Sequence, residues 1–177
     1  GVWGDGNLGY ITSLLLKIFF PDSKIIVMGK NTEKLNLFTF VDDTFLINEI
    51  PNKDDKIAID HAFECVGGHG SESAIDQIID HINPEGSISL LGVSEYPVPI
   101  NTRMILEKGL NVFGTSRSGR KDFIKTVEIY KDNPKVVSYL ENIISETIEI
   151  RTLKDINKAF DKDMNSNFGK TVLKWDK

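Results

Sequence analysis

The pattern of apolar and polar positions divides most of this chain into short strands that alternate with helices. Apolar runs of strand length lie at residues 1–3, 24–28, 43–47, 61–66, 87–91 and 110–114. Apolar positions at helical spacing, or in a run too long for a strand, predict helices at 8–20, 32–38, 71–82, 101–108 and 121–131. Strands and helices that alternate in this way are typical of a parallel sheet covered by helices.

Two of these helices have an apolar face that indicates how they pack. In the helix at 71–82, four isoleucines share one face at the spacing i, i+3, i+4, i+7: Ile75, Ile78, Ile79 and Ile82. In the helix at 121–131, four large side chains are expected to point inward: Phe123, Ile124, Val127 and Tyr130.

The last part of the chain follows a different pattern. Residues 134–141 are predicted to be helical and residues 145–150 and 170–175 to be strands, while Thr152 and Asp155 predict a helix that begins with a capping box. The polar connection at 48–60 shows no helical spacing and is predicted to be a loop. We expect an α/β fold in residues 1–144, a doubly wound parallel six-stranded sheet with strand order 3-2-1-4-5-6, followed by a separate segment at 145–177.

The turn after the first strand is the feature most informative about function. Gly4, Gly6 and Gly9 form the pattern GxGxxG between a strand and an apolar helix, and a second strand follows. The first glycine permits a tight turn, the second lets the backbone approach a pyrophosphate, and the third lets the helix pack closely on the strand. Because the N–H groups at a helix start favour an anion, this unit predicts a dinucleotide site rather than a purely structural turn.

The residues after the second strand indicate which dinucleotide is bound. An NAD site places an acidic residue there to hold the ribose 2′-hydroxyl, but this chain has Gly29 followed by Lys30. Lys30, with Lys34 one turn later, can neutralise a 2′-phosphate, so NADP is favoured over NAD. The alternative is that both lysines are ordinary surface charges. The missing acid also argues against S-adenosylmethionine enzymes.

Composition excludes several classes of partner. The 177 residues are 40% hydrophobic and 27% charged, with a formal net charge of -5 and no basic stripe, so nucleic acid is not expected. No apolar run approaches the roughly 20 residues that cross a bilayer. A single cysteine, Cys65, excludes an intrachain disulfide, and a reducing cytoplasm fits best. Only three residues precede the glycine turn, whereas strands usually have about five, so we expect a piece of a longer protein.

Six motifs in order resemble the cofactor half of the medium-chain zinc-dependent dehydrogenases. They are GDGNLG at 4–9, FECVGG at 63–68, PEGSISLLGV at 84–93, RxxLEKG at 103–109, FGTSRSG at 113–119 and FGKTVLKW at 168–175. Within that family the pattern is most similar to the ribulose-5-phosphate reductases, or ribitol-5-phosphate dehydrogenases, of teichoic-acid and capsule synthesis. The likeness extends over essentially the whole chain and is weakest at the 48–60 connection.

The resemblance implies reduction of D-ribulose 5-phosphate to D-ribitol 5-phosphate by NADPH, with a product that feeds a cytidylyltransferase making CDP-ribitol. In the family, a catalytic zinc polarises the carbonyl, and its ligands lie before the glycine turn. The segment from about residue 145 would then belong to the catalytic lobe. The family also implies a homodimer through the sixth strand, here Leu110 to Gly114. Two other functions stay open: an NADP(H)-binding sensor or scaffold without chemistry, and a dehydrogenase of a neutral polyol.

Family positions assign expected contacts to named residues of this chain. Those expected at the pyrophosphate are Gly4, Gly6, Asn7, Leu8 and Gly9. Those expected around the adenosine ribose phosphate are Gly29, Lys30 and Lys34. Those expected at the nicotinamide are Cys65, Val66 and Gly67 beside its ribose and Leu91, Gly92 and Val93 beside its carboxamide. Arg117 is expected near nicotinamide and substrate, against the alternative of a surface arginine in a glycine loop.

No metal site and no catalytic residue are expected within this chain. His69 lies between two glycines and is expected to be exposed, His61 to begin a strand, and His81 to lie on a helix surface. None has a cysteine or carboxylate at metal-ligand spacing. Cys65 is interpreted as a core residue rather than a nucleophile.

Overall fold

The computed structural model describes residues 1–50, 57–166 and 168–175. Its internal contacts divide the chain into two compact units, Gly1–Arg117 and Ser118–Lys177. The sequence predicted a different boundary, between residues 144 and 145, where the cofactor-binding domain would end and the catalytic lobe would begin. That boundary stays a prediction.

The first unit is built on one parallel sheet of six strands. They are β1 (Val2–Trp3), β2 (Ile26–Gly29), β3 (Asp43–Leu46), β4 (Ile59–Glu64), β5 (Ile82–Leu90) and β6 (Asn111–Gly114). The strand order is β3-β2-β1-β4-β5-β6, and every neighbouring pair is parallel. This confirms the predicted doubly wound α/β fold. The order reverses between β1 and β4, where such sheets have their ligand crevice.

Helices connect these strands close to the predicted positions. They are α1 (Asn7–Phe19), α2 (Thr32–Leu35), α3 (Ser71–His81) and α4 (Thr102–Lys108), with a short 3₁₀ turn at Gly68–Gly70. The helix α4 begins where the Asn101 side chain accepts a hydrogen bond from the Met104 N–H, and it ends at Gly109 in the left-handed conformation.

One core cluster of this unit lies between the sheet and α3. The predicted face of α3 is buried as expected, since Ile75, Ile78, Ile79 and the following Ile82 are each at most 3% exposed. They pack with Trp3, Met28, Ile59 and Ile88 of the sheet, among others. Burial of each isoleucine stabilises the fold by about 1.5–3 kcal/mol, which makes the sheet a rigid support for the loops at its edge.

The fifth strand differs from the prediction at its start. It begins at Ile82, whereas the sequence predicted a helix to residue 82 and a strand from residue 87. Ile59 pairs with Ile82 and His61 with Ser87, so four residues of β5 face the single residue Asp60. Glu85 has a φ of 64° there, so residues 83–86 form a large bulge inside the strand.

The second helix is shorter than predicted. It ends at Leu35 rather than at residue 38, because the N–H groups of Leu37 and Phe38 bond three residues back instead of four. Leu37 donates to the Lys34 carbonyl and Phe38 to the Leu35 carbonyl, each at 3.0 Å.

The second unit contains α5 (Arg120–Asp132), α6 (Lys135–Glu141), β7 (Ile144–Ile150), α7 (Leu153–Asn165) and β8 (Lys170–Trp175). The strands β7 and β8 pair in parallel, and Ala159 of α7 is buried with Ile148 and Ile150. The predicted capping box begins α7, since the Asp155 carboxylate accepts from the N–H of Thr152 at 2.7 Å. Hydrogen bonds from Thr152 also hold the pKa of Asp155 below its usual value.

One expectation for this unit is wrong. The α5 side chains predicted to point inward are exposed, with Phe123 at 68% and Ile124 at 50%. Helical spacing identifies the apolar face of a helix, but it does not identify the surface that covers that face.

Two further observations concern the predicted connections and spans. The loop predicted at 48–60 falls partly on residues 51–56, which lie outside the described residues. Across the described ranges, no helix combines the length and apolar character that crossing a membrane requires.

Candidate functional site

The carboxyl ends of four strands meet at one edge of the sheet. Trp3 is in register with Met28 of β2 and with Glu64 of β4, and Glu64 with Leu90 of β5. Hydrogen bonds continue this register one residue beyond the strands, because the Cys65 N–H donates to the Trp3 carbonyl at 2.8 Å. The loops that follow these strands therefore leave the sheet side by side.

The glycine turn after β1 has the steric properties expected of it. Gly4 has a φ of +130°, and a Cβ on it would lie 2.8 Å from the Cys65 carbonyl oxygen. A Cβ on Gly9 would collide with the Gly4 carbonyl, so only glycine allows α1 to pack this closely on the turn. A Cβ on Gly6 would meet no atom within 4 Å, which leaves open space beside the backbone at that position.

The start of α1 is suited to an anion. Its N-cap is Gly6, which provides no capping side chain, and its first turn contains no acidic residue. The 13-residue helix therefore presents its N–H groups and the positive end of its dipole beside the open space at Gly6.

A cavity of about 190 Å³ lies over the ends of β1, β2 and β4. Six residues predicted for the site line it: Gly4, Gly6, Gly29, Lys30, Cys65 and Val66. Its other walls are Trp3, Asp5, Met28, Ile47, Gly70, Ser73, Ala74 and Gln77. The sheet thus brings together residues predicted to contact the pyrophosphate, the adenosine ribose phosphate and the nicotinamide ribose.

The other predicted site residues do not line this cavity. Asn7, Leu8 and Gly9 form the first turn of α1, and Lys34 lies in α2. Gly67 and residues 91–93 follow β4 and β5, and Val93 is 87% exposed. Arg117 follows β6 in the left-handed conformation, with a φ of 67°. Their contacts to a ligand stay predictions.

The sequence analysis missed an acidic residue at the end of β2. The Asp5 carboxylate, which comes from the glycine turn, accepts hydrogen bonds from the N–H groups of Lys30 at 2.7 Å and Asn31 at 2.8 Å. A Cβ on Gly29 would lie 2.6 Å from the Cβ of Asp5. Gly29 therefore makes room for the Asp5 side chain, and that carboxylate fixes the backbone that carries Lys30. An aspartate inside a glycine-rich turn was the only sequence signal for this contact.

The sequence analysis also missed a buried carboxylate at the end of β4. Glu64 is 1% exposed. Its Oε1 accepts from the N–H groups of Val66 at 2.8 Å and Gly67 at 2.9 Å and from the Ser71 hydroxyl at 3.1 Å. Its Oε2 accepts from the Gly92 N–H at 3.1 Å. A charged residue within an apolar strand was the signal that could have identified it.

Further hydrogen bonds join the loops after β4 and β5. Gly68 donates through its N–H to the Val93 carbonyl at 2.9 Å, and the Ser94 hydroxyl donates to the Gly68 carbonyl at 3.1 Å. Gly67 has a φ of +70°, and a Cβ on it would lie 2.8 Å from the Val93 oxygen. The two loops therefore form one closely packed wall.

Cys65 lies behind this wall as a core residue. It is 6% exposed, and its Sγ donates to the Thr12 hydroxyl at 3.7 Å. Burial raises the pKa of the Cys65 thiol to about 11, with the Thr12 hydrogen bond acting in the opposite direction. A thiol with so high a pKa is a poor nucleophile near neutral pH, in agreement with its interpretation as a core residue.

The two lysines at the predicted adenosine end differ in their surroundings. Lys30 is exposed and Lys34 is half-buried. The N–H of Lys34 donates to the Asn31 side chain at 3.0 Å, which caps α2. Because Asp5 and Asn31 each fix this turn, the positions of both lysines are set by its backbone hydrogen bonds.

The histidines do not form a metal site with the residues around them. His61 and His69 are exposed, and His61 hydrogen-bonds to the Ser87 hydroxyl at 2.7 Å. The expectation that His81 lies on a helix surface is wrong, because it is 4% exposed, three residues after Ile78 on the buried face of α3. Among the residues the structure describes, no three His, Cys, Asp or Glu side chains come together as a metal site.

Comparisons with known proteins show which sequences this chain is similar to. A family model described as zinc-binding dehydrogenase matches residues 15–132. Ribulose-5-phosphate reductase 1 of Staphylococcus aureus (strain NCTC 8325 / PS 47) is 56% identical, over 99% of this chain and 50% of that protein. Ribulose-5-phosphate reductase of Bacillus spizizenii is 54% identical, over 99% of this chain and 51% of that protein.

A solved structure is similar over the same length. The crystal structure of S. aureus TarJ in complex with NADPH superposes with a TM-score of 0.96 and 55% identity, covering 100% of this chain and 55% of that one. The chain spans about half the length of the curated relatives it matches.

Proposed function

The chain belongs to the zinc-binding dehydrogenase family, and from this premise we propose that it is the cofactor-binding part of an NADPH-dependent reductase. The reaction we propose converts D-ribulose 5-phosphate to D-ribitol 5-phosphate for CDP-ribitol and for teichoic-acid or capsule synthesis. The carrying observation is the cavity over β1, β2 and β4, which combines an open glycine turn with Gly29, followed by Lys30, at the position where an NAD site has an acidic residue. The reductases described above support the substrate.

The residues of this chain fit the cofactor along the cavity. Gly6 and the start of α1 would hold the pyrophosphate, and Lys30, with Lys34 behind it, would neutralise the 2′-phosphate. Cys65 to Gly67 and Leu91 to Val93 would enclose the nicotinamide, with Arg117 near the substrate. When bound, NADPH supplies the hydride that reduces the ketone.

Zinc does not fit the described residues, so no step of the reaction passes through a metal held by this chain. In our proposal the zinc ligands of the whole reductase lie in the half of the relatives that this chain does not match. The segment at 145–177 would belong to the catalytic lobe of that enzyme.

The proposal has three further features: a cytoplasmic location, a homodimer and a partner enzyme. We place it in the cytoplasm, where the lone buried Cys65 needs no disulfide partner. A homodimer would form through β6, which lies at the edge of the sheet with Phe113 51% exposed. A cytidylyltransferase would receive the product.

Calorimetric titration of this chain with NADPH and with NADH tests the cofactor assignment. We expect NADPH to bind at least about tenfold more tightly, since a charge-assisted hydrogen bond contributes about 1.5–3 kcal/mol. Lys30→Ala should remove most of that preference. Lys24→Ala is the matched control, because Lys24 is an exposed lysine that pairs with Asp43.

Equal affinities for NADPH and NADH would contradict the 2′-phosphate assignment. If neither NADPH nor NADH bound, the assignment of a dinucleotide site to this cavity would be wrong.

A further inference from the structure

Four hydrogen-bond donors surround the buried side chain of Glu64 at the end of β4. Three backbone N–H groups and one hydroxyl converge on its two oxygens, at 2.8–3.1 Å, from Val66, Gly67, Ser71 and Gly92. A carboxylate is the side chain that only accepts hydrogen bonds when ionised. The loops after β4 and β5 are therefore built around an acceptor that no amide or hydroxyl can fully replace.

Gly92 is held by Glu64 from two directions. Its N–H donates to the Glu64 backbone carbonyl at 2.9 Å and to the Oε2 of the same residue at 3.1 Å. A Cβ on Gly92 would lie 2.6 Å from Oε1 and 2.5 Å from Oε2. The position of the β5 loop therefore depends directly on the Glu64 side chain.

Among the described residues, the hydrogen bonds of the Glu64 side chain reach only these two loops and the start of α3. Its partners follow β4, follow β5 or begin α3, and none of them lies after β1 or β2. The turn at the end of β2 is instead fixed by Asp5. The two ends of the site are thus held by separate carboxylates.

We propose that Glu64 is a positioning residue for the nicotinamide half of the cofactor and leaves the adenosine half unaffected. This inference rests on the proposed function. Glu64 sets the relative position of the loops after β4 and β5, which form the proposed nicotinamide wall, and it does so without contacting the cofactor itself.

Glu64→Gln is the sharpest variant with which to test this role. Glutamine keeps the length of the side chain and one acceptor oxygen for Val66 and Gly67, but its amide group turns a donor toward the Gly92 N–H or its neighbours. Titrations of the 177-residue chain with NADPH and with 2′,5′-ADP, which is the adenosine half alone, separate the two ends of the site.

We expect Glu64→Gln to weaken NADPH binding about tenfold, equivalent to about 1.4 kcal/mol, and to leave 2′,5′-ADP binding within about twofold of the original. Equal weakening of both ligands, or of neither, would overturn the proposal. Failure of the unmodified chain to bind NADPH would instead overturn the proposed function, so the two failures are distinguishable.

Two further variants guard against a general folding defect. Ser71→Ala removes one donor to Oε1 without changing the charge, and it should shift NADPH binding in the same selective way by a smaller factor. If Glu64→Gln does not fold, Ser71→Ala tests the proposal by the same comparison of NADPH with 2′,5′-ADP binding. Asp76→Asn is the matched control, because it removes an exposed carboxylate from the same helix and should alter neither affinity.

Discussion

Asp5 and Glu64 make similar hydrogen bonds on opposite sides of the point where the strand order reverses, but in different surroundings. Each carboxylate accepts N–H groups from the loop after a neighbouring strand, Lys30 and Asn31 for Asp5 and Gly92 for Glu64. Asp5 is only half-buried, whereas Glu64 is 1% exposed. At the Asp5 end, water can replace a lost hydrogen bond; at the Glu64 end it cannot do so without disturbing the core.

This difference in burial predicts different roles for the carboxylates at the two ends of the site. A lost acceptor in a buried network leaves donors unsatisfied and costs folding free energy. A lost acceptor near water costs less folding free energy, but it releases the backbone that presents a ligand contact. We therefore expect substitutions at Glu64 to affect stability first and substitutions at Asp5 to affect ligand preference first.

The largest expected effect is on stability. Glu64→Ala leaves three backbone N–H groups and the Ser71 hydroxyl without their acceptor, so it should lower the free energy of unfolding by about 3 kcal/mol or more. Asp5→Ala should lower it by only about 1 kcal/mol. Urea unfolding followed by circular dichroism measures both values.

Glu64→Gln serves as the control for that measurement, because it retains one acceptor and should fall between Glu64→Ala and the original chain. A stability loss for Asp5→Ala equal to that for Glu64→Ala would refute the contrast between the two ends.

A smaller effect is expected on ligand preference at the Asp5 end. Asp5→Ala frees the backbone of Lys30 and Asn31, so 2′,5′-ADP should bind about fivefold more weakly, as expected for a loss of about 1 kcal/mol. Calorimetric titration with 2′,5′-ADP measures this change.

Asp5→Asn keeps an acceptor oxygen and should retain most of the affinity for 2′,5′-ADP. Gly29→Ala should mimic Asp5→Ala, because its Cβ would lie 2.8 Å from the Asp5 Oδ2 and displace that side chain. The double variant should then lose little more than either single variant, and fully additive losses would count against a coupled pair.

A separate effect, on neither stability nor ligand binding, concerns the reactivity of Cys65. Burial raises the pKa of this thiol from 9.0 to about 11. Two pKa units lower the thiolate fraction about a hundredfold near pH 8, so a thiol reagent should modify the folded chain far more slowly than the urea-unfolded chain. Similar modification rates for the folded and unfolded chains would contradict the burial of the Cys65 thiol.

The same shift fixes the direction of a pH effect on stability. Between pH 9 and 11 the unfolded thiol ionises first, because its pKa is lower than that of the folded thiol. The unfolded state then binds fewer protons, so the contribution of Cys65 to the free energy of unfolding falls as the pH rises through this range. Cys65→Ser should make that dependence shallower.

The sequence by itself determined the fold and the place of the site. Apolar runs of strand length predicted the six strands, and helical spacing predicted the buried face of α3, because each pattern is set by the local sequence. The glycine turn predicted an open anion site because the close packing of Gly9 on Gly4 arises within a few residues of the chain.

The tertiary structure alone decided which side chains fix the two ends of that site. The Oδ2 of Asp5 meets the N–H of Lys30, 25 residues away, and Glu64 meets Gly92, 28 residues away, only because β1, β2, β4 and β5 end in register. His81 is buried and Phe123 is exposed for a related reason, since a helical pattern does not specify what covers each face. Hydrogen bonds between loops depend on strand order, and strand order is a property of the assembled sheet rather than of any one segment.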